Sequence, residues 1–246
     1  MADTEPVPDR ATLDRAEIIG RYRVADRSVP RLRVNFISSL DGAATRDGRS
    51  GGLGNADDKL VFDTLRLLSG VLVVGAGTVR AEGYGGIRLG PADAAWRTAQ
   101  GWAAQPPLAI VSAGLDLEPT HPAFTEAPTR PIVVTHAGSP ADKRSALAEV
   151  ADVLVCGADS VDPRLMLARL AARGHSQVLC EGGPHLFGSL IEADCVDELC
   201  LTLSPGLEGG PAGRIVRGAA ATPRPMRLLH ALPAGDMLFL RYERRR

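Results

Sequence analysis

Cysteines, aromatic residues and any excess of charge are scarce in this sequence. Its 246 residues include 4 cysteines, and aromatic residues make up 4% of the chain. No Cys-x-x-Cys pair occurs and no cysteine lies at zinc-ligand spacing from a histidine, so the sequence predicts no metal site. The 28 basic and 29 acidic residues leave a net charge of −1, which gives a nucleic acid no electrostatic surface to bind.

Long apolar stretches and several catalytic motifs are also missing. No run approaches the roughly eighteen apolar residues of a membrane-spanning helix, and the polar, charged residues 1–30 do not resemble a secretory signal. The sequence therefore predicts a cytoplasmic protein with no membrane partner, in which reduced cysteines act as small buried residues. The chain has no Gly-x-x-x-x-Gly-Lys loop for triphosphates, and its five histidines lie in no hydrolase motif.

Hydrophobic patterning divides the chain into an arm and one α/β domain. Residues 1–30 are polar and predict an arm with at most one short helix around 13–19. Within 31–246, short apolar runs alternate with helical patterns, which is typical of a layered domain with a largely parallel sheet. The predicted strands are 32–38, 71–74, 108–111, 132–135, 153–156 and 178–180. The predicted helices are 56–68, 163–172 and 184–193.

The last fifty residues differ from the rest of the chain. Segments 198–204 and 237–242 have the apolar patterning of strands, and no good helix lies between them. Strands joined without a helical crossover are typically antiparallel. The sequence therefore predicts an antiparallel addition at the edge of the parallel sheet.

A glycine-rich segment follows the predicted strand 71–74. The sequence continues into Gly75-Ala-Gly77-Thr78, where glycines let a ligand approach the backbone and leave amide groups facing outward. A tight turn that binds nothing would have the same composition. The third glycine of the dinucleotide-binding fingerprint is missing, so the segment alone leaves both interpretations open.

A second glycine-rich segment follows strand 178–180. It begins with Glu181 and leads through Gly182, Gly183 and Pro184 into a predicted helix, whose first free amides can bind an anion. Glu181 would lie at the carboxyl edge of the sheet, where open α/β sheets bind ligands. It could also serve only as a cap for local amides. Two such segments in one domain favour a two-part ligand over two empty turns.

An aspartate ends the first predicted strand. Asp41 is followed by Gly42, and Asp-Gly is an ordinary turn signal. An Asx turn is therefore the alternative to a catalytic role. Its expected position at the ligand-binding edge makes Asp41 a candidate for polarising the reacting group or positioning a proton-delivering water.

In this order and spacing, these segments resemble a known family. The resemblance rests on Ser-Leu-Asp-Gly at 39–42, Val-Gly-Ala-Gly-Thr-Val at 74–79, Glu-Gly-Gly at 181–183, and Asp-Glu-Leu at 197–199 with Pro205. It covers about residues 32–242. The sequence is similar to the reductase domain of bacterial riboflavin biosynthesis, the carboxyl-terminal half of RibD, and most of all to stand-alone actinobacterial members. The resemblance implies the three-layer α/β fold of dihydrofolate reductase and a homodimer.

The resemblance also implies NADPH as the cofactor. In the family, the two glycine-rich strand ends hold it, and Ser112 matches the place where the adenosine 2′-phosphate is commonly bound. Glu82 stands where members usually carry Asp, and no basic residue adjoins Ser112 in the sequence. The implied cofactor-binding residues are Ser38, Gly75, Gly77, Thr78, Glu82, Ser112, Gly182, Gly183, Pro184, His185 and Leu186.

The implied substrate is a pyrimidine that carries a ribose 5-phosphate. Family substrate contacts correspond to Ser50, Arg66, Arg88 and Glu181. A guanidinium of Arg66 or Arg88 would pair with the phosphate, and Glu181 would accept hydrogen bonds from the substrate. Arg66 could instead only stabilise the end of its helix. The implied reaction transfers hydride to the ribose carbon C1′ of 5-amino-6-(5-phosphoribosylamino)uracil, with Asp41 and Glu181 as catalytic candidates.

The sequence departs from the family in three places. Ala43 stands where many members have Lys or Arg, and residues 83–86 (Gly-Tyr-Gly-Gly) replace the usual Asp-Pro turn. The His-x-Glu and Pro-Cys-x-x-Cys motifs of the companion zinc deaminase are absent. The first two changes concern the substrate side. They leave open a pterin-like substrate, with dihydrofolate reductase-like activity, or a non-catalytic NADP-binding protein.

Overall fold

The apolar runs of the sequence form a nine-stranded sheet. The computed structural model describes residues 13–245 of the chain. Its strands are β1 (Arg31–Ser39), β2 (Val71–Gly75), β3 (Leu108–Val111), β4 (Ile132–Thr135), β5 (Asp152–Val155), β6 (Gln177–Cys180), β7 (Glu198–Ser204), β8 (Met226–Ala234) and β9 (Met237–Arg244). Their spatial order is β5-β4-β3-β2-β6-β1-β7-β9-β8. The six strands predicted before residue 181 are confirmed to within one residue at each end.

Helices cover both faces of the sheet. They are α1 (Arg15–Tyr22), α2 (Ala56–Leu68), α3 (Ala76–Glu82), α4 (Pro91–Ala99), α5 (Pro122–Thr125), α6 (Ala141–Val150), α7 (Pro163–Ala172) and α8 (Pro184–Glu192), with a 3₁₀ turn at Gly51–Leu53. Side-chain caps start four of them, α1, α2, α5 and α7; at α2, for example, Asn55 accepts a hydrogen bond from the amide of Asp58. The predicted helices α2 and α7 are confirmed, and α8 ends one residue early.

The core lies in two layers because side chains of a strand point to alternate faces. On β2, Leu72 and Val74 pack with α1, α2 and α3, whereas Val71 and Val73 pack with α7 and α8. All four side chains are fully buried. The fold is the predicted α/β architecture, with a mostly parallel central sheet, antiparallel carboxyl-terminal strands and flanking helices.

The predicted antiparallel pairing of segments 198–204 and 237–242 is confirmed, because β7 and β9 pair antiparallel, with Leu201 opposite Leu240. On its other side β7 runs parallel to β1, with Asn35 opposite Cys200. The reason is that α8 precedes β7 and carries the chain back across the sheet, as a parallel connection requires. The antiparallel part begins at β9, which pairs with β7 and β8.

Strand β8 was not among the strands predicted from sequence. This strand contains Pro233, which cannot donate a ladder hydrogen bond and weakens a strand pattern. In the structure β8 pairs only with β9 and forms the edge of the sheet. An edge strand tolerates proline because one side of its backbone needs no partner strand.

Residues 13–30, which were expected to form an arm, pack against the domain. Asp14 caps α1, and the α1 side chains Ile18 and Tyr22 are buried against α2. The Tyr22 carbonyl accepts a hydrogen bond from Arg33, at 2.9 Å. The helix predicted around 13–19 is present, two to three residues further along the chain.

Beneath α1, three strands meet at one buried carboxylate. The Glu198 side chain on β7 is completely buried and forms ion pairs with Arg31 and Arg33 of β1 and Arg241 of β9. Burial alone would raise the pKa of Glu198, but the arginines lower it to about 2. This cluster lies at the starts of β1 and β7, whereas the glycine-rich segments follow the ends of the parallel strands.

Candidate active site

The two glycine-rich segments meet because their strands are neighbours. β2 and β6 pair in parallel, with Val73 opposite Cys180, so both carboxyl ends open at the same edge of the sheet. The amide of Gly75 donates a hydrogen bond to the carbonyl of Gly182, at 2.9 Å. This differs from the expected outward-facing amide, because Gly75 uses its donor to join the two segments.

Close packing explains the glycine at position 183, where a Cβ would lie 2.4 Å from the Thr78 hydroxyl oxygen. A Cβ on Gly75 would make only ordinary van der Waals contact, 3.5 Å from the Gly183 amide nitrogen. The peptide bond between Gly182 and Gly183 is cis. Gly77 differs from these glycines, because a Cβ there would meet no protein atom within 4 Å. Its open side faces solvent and is accessible to a ligand.

Two helices begin at this junction without side-chain caps. Gly75 is the N-cap of α3, Gly183 is the N-cap of α8, and neither can offer a capping oxygen. Pro184 occupies the first position of α8, so His185 and Leu186 carry the first amide groups of that helix. The first amides of an uncapped helix, together with its dipole, favour a bound anion.

A cavity of about 710 Å³ opens beside this junction. Its walls come from β1, from α2, from residues 44–54 and from the 82–88 segment. Of the residues expected from sequence, those that line it are Ser50, Arg66, Thr78, Glu82, Arg88, Glu181, Gly182, Gly183 and Pro184. Its further lining residues include Asn35, Phe36, Asp58, Lys59, Phe62 and Tyr84.

A buried ion pair forms one wall of the cavity. Arg66 donates from Nε to Glu181 Oε1 at 2.6 Å and from Nη2 to Oε2 at 2.7 Å. The Tyr84 hydroxyl donates to the same Oε2 at 2.9 Å. The Glu181 side chain is fully buried, and 18% of the Arg66 side chain is exposed. The guanidinium also lies over the Phe62 ring, 4.2 Å from its centre. Both carboxylate oxygens therefore have partners within the protein.

This arrangement bears on Arg66, one of the two residues expected to bind a substrate phosphate. Two of its three guanidinium nitrogens are held by Glu181. Burial alone would lower the pKa of Arg66, yet the adjacent carboxylate raises it, so the guanidinium stays charged. Burial and the Glu181 charge both raise the pKa of Tyr84, so its hydroxyl stays protonated and remains a donor.

The cavity face of α2 carries residues that sequence reasoning missed. Asn55, Asp58, Lys59 and Phe62 line the cavity together with Arg66. Their spacing of three or four residues is that of one helix face. This periodicity was present in the sequence, but the opposite apolar face of the helix alone was used to predict packing. Tyr84 carried no periodic signal, and only the fold brings it to Glu181.

Asp41 lies outside the cavity lining. Its carboxylate accepts hydrogen bonds from the Ser39 hydroxyl, from the Glu208 amide at 3.1 Å and from the Gly209 amide at 2.7 Å. These bonds lower the pKa of this exposed group to about 2. Asp41 therefore joins the end of β1 to the 208–209 loop.

One cavity residue joins two neighbouring segments, and one cavity cation has no partner within the described residues. Glu82 accepts a hydrogen bond from the amide of Ser50 at 2.9 Å, which joins the end of α3 to the segment before α2. Lys59 forms an ion pair with Asp63, at 2.6 Å. Arg88 is exposed, and within residues 13–245 it has no recorded hydrogen bond or ion pair. Arg88 is therefore the cavity cation available to an anionic ligand.

The other expected residues lie along the same sheet edge. Ser38 and Ser112 are buried at the carboxyl ends of β1 and β3, and the Ser112 amide donates to the Val134 carbonyl. Neither lines the cavity, and neither do Gly75, Gly77, His185 and Leu186. Lys143 bonds the carbonyl of Gly114 in the loop after Ser112. The fold thus supplies a basic neighbour that the local sequence lacks.

The structure contains no arrangement typical of a metal centre in its described part. Among residues 13–245, no three His, Cys, Asp or Glu side chains are grouped so that they could hold a metal ion. No helix in the same range is long and apolar enough to cross a membrane. Cys156, Cys180 and Cys200 are buried, and all four cysteines are free thiols.

Solved structures share this fold. A pyrimidine reductase-like protein from Corynebacterium diphtheriae superposes with a TM-score of 0.85 at 24% identity, covering 95% of this chain and 100% of its own. Dihydrofolate reductase from Enterococcus faecalis, solved with NADP(H), superposes with a TM-score of 0.50 at 14% identity, covering 88% of this chain and 97% of its own. The predicted dihydrofolate reductase-like architecture is thereby confirmed.

Sequence comparison identifies the family. The 2,5-diamino-6-ribosylamino-4(3H)-pyrimidinone 5′-phosphate reductase of Archaeoglobus fulgidus is 28% identical over 182 residues, which span 74% of this chain and 83% of that protein. The family model for the RibD C-terminal domain matches residues 30–238. Because this match covers most of the chain, the protein belongs to the RibD C-terminal domain family.

Proposed function

We propose that this protein is a nicotinamide-dependent reductase of riboflavin biosynthesis that acts on a ribosylaminopyrimidine 5′-phosphate. The observation that carries the proposal is the cavity between α2 and the carboxyl ends of β1, β2 and β6, with the joined glycine segments on one side and Arg66, Glu181 and Tyr84 on the other. Family membership and the names of the relatives support the same reaction class.

The residues at the glycine segments fit a pyridine dinucleotide. The space beside Gly77 would accept a Cβ without contact, and α3 and α8 begin without caps. A dinucleotide has two linked phosphates, and uncapped helix starts are suited to bind them. We propose that Gly77, Thr78, Gly183, His185 and Leu186 hold the cofactor, with Ser112 further along the same edge. When bound, the reduced nicotinamide supplies the hydride for the reaction.

The chain itself positions the substrate and stabilises charge. In the proposed reaction, the substrate C1′–O4′ bond breaks, hydride adds to C1′ and a proton goes to O4′, so the ribose becomes ribitol. Tyr84 and Arg66 hold Glu181 in one orientation, and the Phe62 ring packs against the Arg66 guanidinium. This rigid wall keeps the reacting end of the substrate in place and excludes water from one side of it.

Of the two cations expected to bind the substrate phosphate, Arg66 and Arg88, we assign it to Arg88. Arg66 is engaged by Glu181, whereas Arg88 lines the cavity and is exposed. Ser50 lies on the same side and contributes a hydroxyl donor. We assign the 5′-phosphate to Arg88 and Ser50, because a guanidinium pairs with phosphate oxygens in a forked geometry.

One basic side chain favours NADPH over NADH. Lys143 reaches the loop after Ser112, but its charge is paired with Asp116, at 2.6 Å. Arg80 donates to the Asp116 carbonyl at 2.9 Å, so its charge is not neutralised there. We therefore assign the additional 2′-phosphate of NADPH to Arg80. In the variant Arg80→Ala, the KM for NADPH should rise several-fold while the KM for NADH changes little.

The test of this function is a cofactor-oxidation assay. The purified protein is mixed with NADPH and, separately, the 2,5-diaminopyrimidinone nucleotide, 5-amino-6-(5-phosphoribosylamino)uracil or dihydrofolate, and the ribityl product is identified by mass spectrometry. Turnover of either ribosylaminopyrimidine phosphate supports the proposal. Turnover of dihydrofolate alone would instead favour dihydrofolate reductase-like activity. Tight NADPH binding without turnover of any substrate would favour a non-catalytic binding protein.

We further propose a cytoplasmic homodimer. The four free thiols agree with a reducing compartment. The edge strand β8 exposes Leu228 and Leu229, 49% and 37% of whose surfaces are accessible, and an open strand edge with apolar residues favours association. Sedimentation equilibrium should give twice the 25.9 kDa mass of the chain, and a monomer over a wide concentration range would contradict the dimer.

A further inference from the structure

One carboxylate in the cavity has no cationic partner. Asp58 lines the cavity, and among residues 13–245 it forms no ion pair with Lys, Arg or His. The adjacent Lys59 is bound to Asp63 instead. Burial raises the pKa of Asp58, and the hydroxyl of the buried Thr202 offsets part of that rise. A half-buried carboxylate without a cation is stabilised when a ligand donates hydrogen bonds to it.

Asp58 and Arg66 occupy opposite ends of the same helix face. Eight residues separate them, which corresponds to about 12 Å along α2. Phe62 lies between them and offers an apolar surface to a flat ring. At one end of this face, both oxygens of Glu181 are engaged by Arg66 and Tyr84. At the other end, Asp58 has a hydroxyl partner in Thr202 but no cationic partner within residues 13–245. A heterocycle lying along α2 would therefore meet its acceptor at Asp58.

A purely helical role does not require this residue. Acidic side chains stabilise the first turn of a helix through the dipole. In α2, Asp57 also lies in that turn, and the Asn55 side chain already provides the cap. Asp57 does not line the cavity, whereas Asp58 does. Replacing Asp57 therefore tests the effect of a charge on the helix alone, whereas replacing Asp58 also tests an effect on a ligand.

We propose that Asp58 recognises the 2-amino-4-oxo edge of the substrate pyrimidine and thereby selects the 2,5-diaminopyrimidinone nucleotide over the corresponding uracil. The inference rests on the proposed reductase function. A 2-amino-4(3H)-pyrimidinone presents two adjacent donors, N3–H and the 2-amino group, and an ionised carboxylate accepts both. In this chain, reduction would then precede removal of the 2-amino group.

A uracil ring offers the wrong pattern to the same carboxylate. Its N3–H is still a donor, but the 2-oxo group places an acceptor opposite the second carboxylate oxygen. A polar group left without a partner in a partly buried site is costly, and a bidentate contact discriminates by about 5- to 150-fold. An asparagine would reverse this preference, because its amide donates to the 2-oxo oxygen while its carbonyl accepts from N3–H.

Pterins carry the same 2-amino-4-oxo edge, so two classes of ligand could present it to Asp58. Dihydrofolate lacks a 5′-phosphate, whereas the diaminopyrimidinone nucleotide carries one that Arg88 can bind. The nucleotide is the source we assign, because the cavity provides both the carboxylate and the free cation. Dihydrofolate serves as a separate arm of the test.

The experiment compares kcat/KM and the dissociation constants of both nucleotides for wild type, Asp58→Asn and the control Asp57→Asn. Wild type and the control should prefer the diaminopyrimidinone nucleotide by about 5- to 150-fold. In Asp58→Asn this preference should disappear or reverse, with the loss confined to the 2-amino substrate.

Each other outcome has a defined meaning. Equal use of both nucleotides by wild type, or an unchanged preference in Asp58→Asn, would overturn the role of Asp58 while the reductase function stands. Turnover of neither nucleotide would overturn the proposed function. If dihydrofolate alone is then turned over, a rise in its KM in Asp58→Asn but not in Asp57→Asn would still support recognition of the shared edge. An unchanged KM would overturn that recognition too.

Discussion

At the scale of single residues, the wall of the cavity depends on one carboxylate that satisfies two partners. Glu181 could be selected from the sequence because it follows a buried strand and precedes two glycines. Its partner could not be selected, because Arg66 is 115 residues away along the chain. Tyr84 lay in a segment that was identified only as a departure from the family pattern. Long-range pairing of this kind is decided by the fold and leaves no local sequence signal.

Replacing Glu181 should lower the free energy of unfolding more than removing the hydrogen bond from Tyr84 does. Glu181→Gln leaves the Arg66 guanidinium largely buried without a counter-charge, and we expect the free energy of unfolding to fall by about 3 kcal/mol. Tyr84→Phe removes one hydrogen bond to the carboxylate and should cost about 1.5 kcal/mol. Urea denaturation of both variants measures the difference. A smaller loss in Glu181→Gln than in Tyr84→Phe would show that the ion pair does not stabilise this wall.

Gly77 distinguishes a ligand site from a plain turn. Because a Cβ at this position meets no protein atom, Gly77→Val should leave the melting temperature nearly unchanged. The valine side chain would occupy the space assigned to the cofactor, so the Kd for NADPH in a fluorescence titration should rise at least about tenfold, a loss of about 1.4 kcal/mol in binding free energy. The matched control is Gly20→Val in α1, another open glycine far from the cavity. Unchanged NADPH affinity in Gly77→Val would remove this turn from the site.

At the scale of elements, the strands whose two faces are both buried were the ones that the sequence predicted best. The parallel strands were found because both faces are covered and their residues are almost uniformly apolar. β8 was not predicted because an edge strand is less strictly apolar and because it contains Pro233. The parallel pairing of β7 with β1 was not predicted, because strand direction depends on the preceding crossover, here α8, and not on the residues of the strand itself. The cavity face of α2 was not predicted to bind a ligand because most of its residues are polar.

Helix α1 should contribute to the stability of the whole fold. Tyr22 is almost completely buried, packs edge-on against His230, and its carbonyl accepts from Arg33. Tyr22→Ala should lower the free energy of unfolding by about 3–5 kcal/mol, as expected for loss of a buried aromatic side chain. Arg21→Ala, which removes only an exposed pair with Glu17, should cost about 0.5 kcal/mol or less. Equal effects of the two substitutions in urea denaturation would mean that residues 13–30 behave as an independent arm.

At the scale of the whole molecule, the buried charge cluster should make the protein sensitive to acid. The pKa of Glu198 is lowered from 4.5 to about 2, so its contribution is present above pH 4.5 and is lost as the pH falls towards 2. Burial and the charge of Arg241 lower the pKa of His230 from 6.5 to about 4. The stability from neutral His230 is therefore present above pH 6.5 and is lost as the pH falls towards 4.

Urea denaturation between pH 7 and pH 3 should therefore show a loss of stability in two successive steps. His230→Phe should remove the pH dependence of the upper step, and Glu198→Gln that of the lower step, although the second variant should be less stable at neutral pH. A wild-type free energy of unfolding that does not change between pH 7 and pH 4 would contradict the assigned state of His230.

The sequence by itself determined the buried parallel strands, the helices α2, α7 and α8, the glycine segments and the residue types from which a reductase site could be assembled. These properties follow from periodicity, capping and turn chemistry, all of which act over a few residues. Tertiary structure alone decided that Arg66 belongs to Glu181, that Asp41 holds a loop, that β7 is parallel, and that Asp58 faces the cavity without a cation. Those outcomes depend on which distant segments become neighbours in the sheet, because ion pairing and burial depend on distance in space and not along the chain.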